Sequence, residues 1–162
     1  MADIKPQKIT TFLWYNDQAE EAATFYTSLF ENSRILNVQR HGEGGQGPEG
    51  SAFVVSFELA GQQFTALNGG PLFTFTEAIS LVVDCVDQEE VDRLWEALTA
   101  DGGEESQCGW LKDKYGLSWQ IIPRALPELL GDPDPAVSQA ALKAMFGMQK
   151  IDVAALKAAA GR

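Results

Sequence analysis

The chain has 162 residues, of which 45% are hydrophobic and 22% charged, and its formal net charge is -11 at pH 7. Because an acidic chain repels phosphate groups, this balance argues against nucleic acid and anionic membranes as partners. No apolar run approaches the roughly 20 residues of a membrane-spanning helix. Residues 1–14 also lack the apolar segment and cleavage site of a signal peptide, so we expect a cytoplasmic protein.

The N-terminal part of the chain predicts a strand followed by a helix. Residues 9–15 form a β-branched and aromatic run that is typical of a strand. Asp17 then predicts a helix N-cap, and Glu20, three residues later, completes a capping box. The residues behind them include apolar side chains at the spacing of an amphipathic helix, namely Ala22, Tyr26, Leu29 and Phe30.

The same pattern returns later in the chain. Residues 79–83 predict a strand, Asp87 a cap, and Glu90 its capping-box partner. The apolar stripe of the second helix consists of Val91, Leu94, Trp95 and Leu98. Asp17 and Asp87 lie 70 residues apart, which is too long for a solenoid repeat and suits a duplicated small module.

Short strands are predicted after each helix, and they make the two halves equivalent. The predicted strands cover residues 35–40, 51–59 and 63–67 in the first half and 105–108, 110–112 and 118–122 in the second. The hairpin glycines Gly61 and Gly116 occupy matching places. The predicted fold class is therefore α+β, with two βαβββ modules.

The composition changes after Pro123. The sequence Asp-Pro-Asp-Pro at 132–135 predicts a cap and an N1 proline before a helix over 137–148. Asp152 predicts the cap of a last helix, with Ile151 and Leu156 as a hydrophobic staple. This extension is too short to bury a core of its own, so we expect it to pack on a module or on a partner subunit. Its apolar stripe of Leu142, Met145 and Phe146 favours a dimer.

The glycine-rich segment 41–48 does not predict a phosphate cradle. Such a cradle opens a helix, whereas residues 51–59 alternate like a strand, and Glu43 and Glu49 would repel phosphate. We expect a flexible surface loop in which His41, the one histidine of the chain, is solvated.

The two cysteines give no sign of a shared site. Cys85 and Cys108 lie in or beside predicted strands without the spacing of a metal or redox motif, and no histidine lies within local reach. We expect two buried free thiols.

Four sequence motifs resemble one protein family. They are Asn-Gly-Gly-Pro at 68–71, Cys-Gly-Trp-Leu-Lys-Asp-Lys-Tyr-Gly at 108–116, Ser-Trp-Gln-Ile-Ile-Pro at 118–123 and Met-Gln-Lys-Ile-Asp at 148–152. Together they resemble the PhnB-like branch, often labelled 3-demethylubiquinone-9 3-methyltransferase, of the vicinal oxygen chelate superfamily. That superfamily includes glyoxalase I, extradiol dioxygenases and fosfomycin or bleomycin resistance proteins.

The resemblance implies a glyoxalase-like architecture. A single domain would cover residues 1–162, with repeats at about 7–70 and 77–123 and the helical extension at 124–162. Its modules would form a curled mixed sheet around one cleft. The resemblance also implies a homodimer.

The resemblance further identifies the positions at which superfamily members hold a divalent metal with His or Glu. These positions lie near the start of the first strand and on the last strand of each half, and here they are Thr10, Thr65, Ser80 and Gln120. Hydroxyl and amide groups are poor ligands for such metals, so we expect no metal or other cofactor.

A cleft with these polar groups and aromatic walls suits a small, neutral or weakly polar organic ligand. Lys112 is the one cation expected near its rim. The expected cleft residues are Thr10, Trp14, Thr65, Ser80, Trp110 and Gln120, and further candidate walls are Phe57, Phe64, Phe73 and Phe75.

Three functions remain open from the sequence. The first is a metal-independent small-molecule-binding protein. The second is an enzyme, either a methyltransferase as the family label says or a lyase or dioxygenase with displaced metal ligands. The third is a structural dimeric protein whose cleft is filled by its own side chains. The missing metal ligands favour the first function over metal catalysis, and no acid–base pair or activated nucleophile stands out.

Overall fold

The computed structural model describes residues 6–162, which divide into two compact units. The boundary lies between Thr74 and Phe75. The predicted repeats at 7–70 and 77–123 fall one in each unit, whereas their union into a single domain stays a prediction. Within residues 6–162, no helix has both the length and the apolar character needed to cross a membrane.

The first module is a four-stranded mixed sheet with one helix on one face. Its elements are β1 (Thr11–Tyr15), α1 (Ala19–Leu29), β2 (Arg34–Arg40), β3 (Ala52–Leu59) and β4 (Gln62–Asn68). The strand order is β1-β4-β3-β2, with β1 parallel to β4 and the other pairs antiparallel.

Alternate side chains of the first sheet form its core beneath α1. Phe57 and Phe64 are buried, and their rings stack with centroids 5.5 Å apart. Tyr26 of α1 packs against Phe57 at 6.4 Å. Phe57 and Phe64 are therefore core residues and not walls of a cleft, because their strand positions point toward α1.

The second module repeats this topology. Its elements are β5 (Ser80–Cys85), α2 (Gln88–Thr99), a 3-10 turn (Ala100–Gly102), β6 (Glu104–Glu105), β7 (Trp110–Lys112) and β8 (Ser118–Pro123). The strand order is β5-β8-β7-β6, and again only the first pair is parallel. The predicted α+β class with duplicated βαβββ modules is confirmed.

The sixth strand is shorter than the predicted 105–108 because the backbone there serves another partner. Cys108 has a φ of 58°, and its N–H donates to the carbonyl of Met148 at 2.8 Å. The N–H of Gly109 donates to the carbonyl of Gln149 at 2.8 Å. These donors hold the C-terminal extension instead of continuing the sheet ladder.

The two helices begin in different ways. The side chain of Asp87 accepts a hydrogen bond from the N–H of Glu90 at 2.9 Å, so the predicted cap of α2 is confirmed. Asp17 makes no such bond, and its predicted capping role is wrong. The N–H of Ala19 donates instead to Oδ1 of Asn68, at 2.7 Å, from the end of the neighbouring parallel strand.

A buried carboxylate shapes the hairpin between β7 and β8. Asp113 is 2% exposed, and its Oδ1 accepts hydrogen bonds from the N–H groups of Tyr115 and Leu117. Its Oδ2 accepts from the indole N–H of Trp119 at 2.9 Å. Trp119 is thereby held on the helix-covered face, as expected, and the next residue, Gln120, is directed to the opposite face.

The C-terminal extension contains three helices, α3 (Ala125–Leu130), α4 (Pro135–Phe146) and α5 (Val153–Ala160). Helix α3 was not predicted, because its six residues are too few for an apolar period to show. The caps of the other two are confirmed: Asp134 accepts from the N–H of Ala136, and Asp152 accepts from the N–H of Ala155.

The extension packs on the second module of the same chain. Its own buried cluster comprises Leu126, Leu129, Val137, Ala141, Ile151, Leu156 and Ala160, and Ile122 of β8 packs against it. Met145 also contacts this cluster, whereas Leu142 is 40% and Phe146 63% exposed. The expectation that Leu142, Met145 and Phe146 share one unpartnered face is therefore wrong for Met145.

Candidate functional site

The second module joins two of the expected site residues directly. Gln120 lies in β8 and Ser80 begins β5, the strand that runs parallel beside it. The Nε2 of Gln120 donates a hydrogen bond to Oγ of Ser80 at 2.9 Å. The pair lies on the sheet face that α2 does not cover, because the adjacent Trp119 and Ile121 are both buried on the helix side.

Ser118 adds a third polar group to this face, and the sequence analysis missed it. Ser118 aligns with Ser80 across the parallel pair and is two residues from Gln120, so the three side chains share one face. Ser118 is 1% exposed, and its Oγ has no hydrogen-bond partner among residues 6–162. A buried hydroxyl in this state costs about 1–3 kcal/mol. Serine in a strand carries no sequence signal for such a role.

Strand β7, which pairs with β8, contributes an aromatic residue and a charged residue near Ser80 and Gln120. Trp110 of β7 stands directly opposite Gln120 and is half-buried. Lys112 forms an ion pair with Oε1 of Glu77. The hydrogen bond and charge of Glu77 raise the pKa of Lys112, and Lys112 lowers the pKa of Glu77 in return. The anionic partner of Lys112 is therefore Glu77 of the same chain.

The first module places Trp14 and Thr65 on one face of its sheet. Trp14 aligns with Leu67 of β4, and Thr65 aligns with Phe12, two residues before Trp14. Thr10 precedes β1 and is exposed. The cleft that would combine these residues with the second-module set stays a prediction.

The indole of Trp14 is fixed by its neighbours. Its N–H donates to the carbonyl of Gly70 at 2.9 Å, and its ring meets Phe73 edge-on with centroids 4.9 Å apart. A Cβ on Gly69 would lie 2.4 Å from Cζ2 of Trp14, so only glycine permits this approach.

The four positions at which the resemblance implies metal ligands carry no imidazole or carboxylate side chain. Thr10, Thr65, Ser80 and Gln120 offer hydroxyl and amide groups, which bind Zn, Mn or Fe poorly. Across residues 6–162, no three His, Cys, Asp or Glu side chains come together in the manner of a metal site.

The glycine-rich segment is a largely exposed loop, as expected, and it lines a groove of the first module. The N–H of His41 donates to the carbonyl of Ser51 at 2.9 Å, and the N–H of Gly50 donates to the carbonyl of His41 at 2.8 Å. The imidazole lies 4.8 Å from the ring of Phe53, and a Cβ on Gly47 would be 2.6 Å from its Cδ2. His41 is therefore partly buried against Phe53 and Gly47 rather than fully solvated.

The glycine-rich segment forms one wall of this groove, which has a volume of about 1030 Å³. The start of α1 and the turn after β4 line the rest of it. Trp14 is the one expected site residue that lines this groove. Two glycines of the lining approach an aromatic ring closely: Gly47 approaches His41, and Gly69 approaches Trp14.

The cysteines are free thiols, as expected. Cys85 is buried, whereas Cys108 is only partly buried. Burial and the nearby charge of Glu90 raise the pKa of Cys85 to about 12, so its thiol stays protonated and unreactive near neutral pH.

Comparison with known proteins extends these observations. A family model described as 3-demethylubiquinone-9 3-methyltransferase matches residues 7–122. A PhnB protein from Bacillus cereus is 42% identical over 72% of this chain and 99% of its own, with a TM-score of 0.68. The family match ends before the motif at 148–152, so that segment lies outside the shared part.

More distant structures share the fold alone. A protein from Pseudomonas aeruginosa is 16% identical over 73% of this chain and 98% of its own, with a TM-score of 0.60. The fosfomycin resistance protein FosX from Listeria monocytogenes, solved with Mn(II) and sulfate, is 18% identical over 78% of this chain and 97% of its own, with a TM-score of 0.51. A comparison with curated proteins gives no match.

The sequence identity, the extent of the family match and the duplicated βαβββ topology agree. The chain belongs to the 3-demethylubiquinone-9 3-methyltransferase family, which includes the PhnB protein of Bacillus cereus.

Proposed function

We propose that this protein binds a small organic ligand without a metal ion, through the neutral polar groups of Ser80 and Gln120. The observation that carries the proposal is the Gln120–Ser80 hydrogen bond at two positions where the superfamily places metal ligands. Two uncharged groups that satisfy each other have no need of a cation.

The remaining hydrogen-bonding capacity defines the ligand class. The Ser80 hydroxyl, having accepted from Gln120, still has its own proton to donate. Oε1 of Gln120 is an acceptor. Together with the adjacent indole of Trp110, these groups suit a neutral, ring-bearing molecule with at least one carbonyl or amide. Ligand contacts from Thr10, Trp14 and Thr65 stay predictions. The homodimer and the cytoplasmic location stay predictions as well.

The proposal can be tested with a probe compound before the natural ligand is known. The probe is benzamide, a neutral ring with a donor and an acceptor, titrated while the indole N–H signal of Trp110 is followed by NMR. We expect a saturable shift in the native protein. Ser80→Ala should weaken binding about fivefold, because one hydrogen bond is worth about 1 kcal/mol. Ser118→Ala removes a hydroxyl that is buried away from the ligand, so it should leave binding unchanged. The same variant should raise the free energy of unfolding, because an unsatisfied buried hydroxyl is removed.

Two results would contradict the proposal. One is a Trp110 signal that stays unmoved up to the solubility limit of benzamide. The other is one equivalent of Zn, Mn, Fe or Ni per chain that survives dialysis, measured by elemental analysis of protein purified without chelator. Gln107→Leu, an exposed loop substitution in the same module, is the matched control and should leave benzamide binding unchanged.

The family description supplies a second candidate, methylation of a ring hydroxyl as in 3-demethylubiquinone-9. A hydroxyl or carbonyl on a ring is the kind of group that Ser80 and Gln120 would orient. Incubation with S-adenosylmethionine and a demethylated quinol, followed by mass spectrometry, tests it. Product that depends on Gln120 would establish methyl transfer, and binding without turnover would leave the first function.

A further inference from the structure

We propose that Asn68 is a site of covalent modification by spontaneous deamidation, and that the fold of the first module holds it unreacted until the end of β4 opens. Asn68 and Gly69 form the one Asn-Gly pair of the chain. Asparagine is a chemically labile residue, and it is most labile before glycine because no side chain hinders attack by the next backbone nitrogen. The proposal is independent of the function proposed for Ser80 and Gln120.

The reaction needs water as its one co-reactant. The nitrogen of Gly69 gives up its proton to the solvent and attacks Cγ of Asn68, so that a C–N bond forms and a five-membered imide closes. The bond from Cγ to Nδ2 then breaks, and the amide nitrogen takes up a proton and leaves as ammonia. Water opens the imide at either of its two carbonyls, which leaves aspartate or isoaspartate at position 68. No group is oxidised or reduced.

The fold requires both residues of the pair for structural reasons. Oδ1 of Asn68 accepts from the N–H of Ala19 at 2.7 Å, and its Nδ2 donates to the carbonyl of Ala52 at 3.1 Å. A Cβ on Gly69 would lie 2.4 Å from Cζ2 of Trp14, so no larger residue fits the turn. The start of α1 and the packing of the indole therefore impose a labile dipeptide at this point.

The folded state restrains every group that reacts. The N–H of Gly69 donates to the carbonyl of Tyr15 at 2.9 Å, and both polar atoms of the Asn68 amide are hydrogen-bonded. Strand β4 is extended through Asn68, which keeps the next nitrogen in the sheet ladder and away from Cγ. The carbonyl of Gly70 accepts from the indole of Trp14 at 2.9 Å. Attack therefore requires that this end of β4 separate from its neighbours.

Deamidation makes such an opening irreversible. Aspartate at position 68 can still accept from the N–H of Ala19, but it has no proton to donate to the carbonyl of Ala52. Isoaspartate adds a methylene to the main chain where Asn68 pairs with Tyr15. A chain that has opened and reacted therefore returns to a less stable first module.

The test compares the full chain, folded and in guanidinium chloride, during incubation at pH 8.0. Peptide mass spectrometry measures aspartate and isoaspartate at each asparagine. We expect Asn68 to react at least about tenfold faster in denaturant, because the reactive conformation is a minor open state of the folded chain. Asn16, Asn32 and Asn37 precede Asp, Ser and Val, so they should react more slowly than Asn68 in denaturant and serve as internal references.

Two tryptophan variants test the restraint itself. Trp14→Phe removes the donor to Gly70 and should speed deamidation of the folded chain about fivefold, the equivalent of one hydrogen bond. Trp110→Phe makes the same change in the second module and should leave the rate at Asn68 unchanged. The native chain with and without denaturant decides the case even where a variant fails to fold.

Three results would overturn the proposal. The first is an equal rate at Asn68 in the folded and the denatured chain. The second is no aspartate or isoaspartate at position 68 in denaturant. The third is a folded Trp14→Phe variant that reacts no faster than Trp110→Phe.

Discussion

Gln120 and Ser80 use each other as partners across the β5–β8 pair. An amide at this position offers the sheet face both a hydrogen-bond donor and an acceptor without adding charge. Gln120 is only partly buried, whereas its neighbours Trp119 and Ile121 are fully packed. At this position, side-chain chemistry is therefore set independently of the core.

Gln120→Glu tests whether this face is open to water. We expect the variant to stay within about 1 kcal/mol of the native free energy of unfolding, because water and the Ser80 hydroxyl can solvate the new charge. Combined with Ser80→His, it should gain affinity for Mn or Zn, because imidazole and carboxylate are ligands these metals prefer. Thermal melts at pH 5.5 and 8.0, with and without Mn, measure both effects.

The opposite result has a clear signature. In a sealed environment the introduced carboxyl would have a raised pKa, so the variant would be stable below that pKa and lose stability as pH rises through it. A collapse at pH 8.0 that Mn does not relieve would place Gln120 among structural residues. Gln107→Glu, with the same charge change in an exposed loop, is the control.

At the scale of elements, the two modules start equivalent helices by different means. The cap of α2 comes from Asp87, three residues from the N–H it accepts. The start of α1 depends on Asn68, whose Nδ2 also donates to the carbonyl of Ala52 at 3.1 Å. One side chain thus ties α1, β3 and β4 together at the edge of the groove.

This difference predicts an asymmetric response to alanine. Asn68→Ala should lower the free energy of unfolding by about 1–2 kcal/mol, since it removes the contact to α1 and leaves a carbonyl without its partner. Asp17→Ala should change it by less than about 0.5 kcal/mol. Asp87→Ala should cost about 1 kcal/mol as a genuine cap. Urea unfolding of the three variants decides, and a larger loss for Asp17→Ala than for Asn68→Ala would contradict this account.

At the scale of the whole molecule, the C-terminal extension completes the second module. Its backbone carbonyls at Met148 and Gln149 accept from Cys108 and Gly109. Gln88 at the start of α2 reaches it from the other side, donating to the carbonyl of Ile151 and accepting from the N–H of Val153. The extension is therefore held by hydrogen bonds as well as by its apolar cluster.

Removal of residues 124–162 should destabilise the chain. The cut removes the buried Ile151 and Leu156, uncovers Ile122, and leaves the N–H groups of Cys108 and Gly109 without their acceptors. We expect a lower urea midpoint, stronger binding of a hydrophobic dye, and loss of the dimer that the resemblance implies. A chain that ends at Ala160 is the control. A truncated chain that sediments and unfolds like the full one would show the extension to be dispensable.

The sequence by itself determined the features that depend on neighbouring residues. The duplication, the βαβββ order and the caps at Asp87, Asp134 and Asp152 all follow from patterns within a few residues, and all are present. Trp119 and Gln120 were assigned to opposite faces by strand alternation alone. Local hydrogen bonds and periodicities are written in short segments, so they can be deduced without a structure.

Tertiary structure decided whatever depends on residues far apart in the chain. The partner of Ala19 lies 49 residues away at Asn68, and no pattern near Asp17 indicates that its cap is replaced. Folding buries the Ser118 hydroxyl without a hydrogen-bond partner among residues 6–162. Folding also brings Gly47 against the ring of His41. The contact between Ser80 and Gln120 is of this kind, because the sequence shows the two segments without the hydrogen bond that joins them.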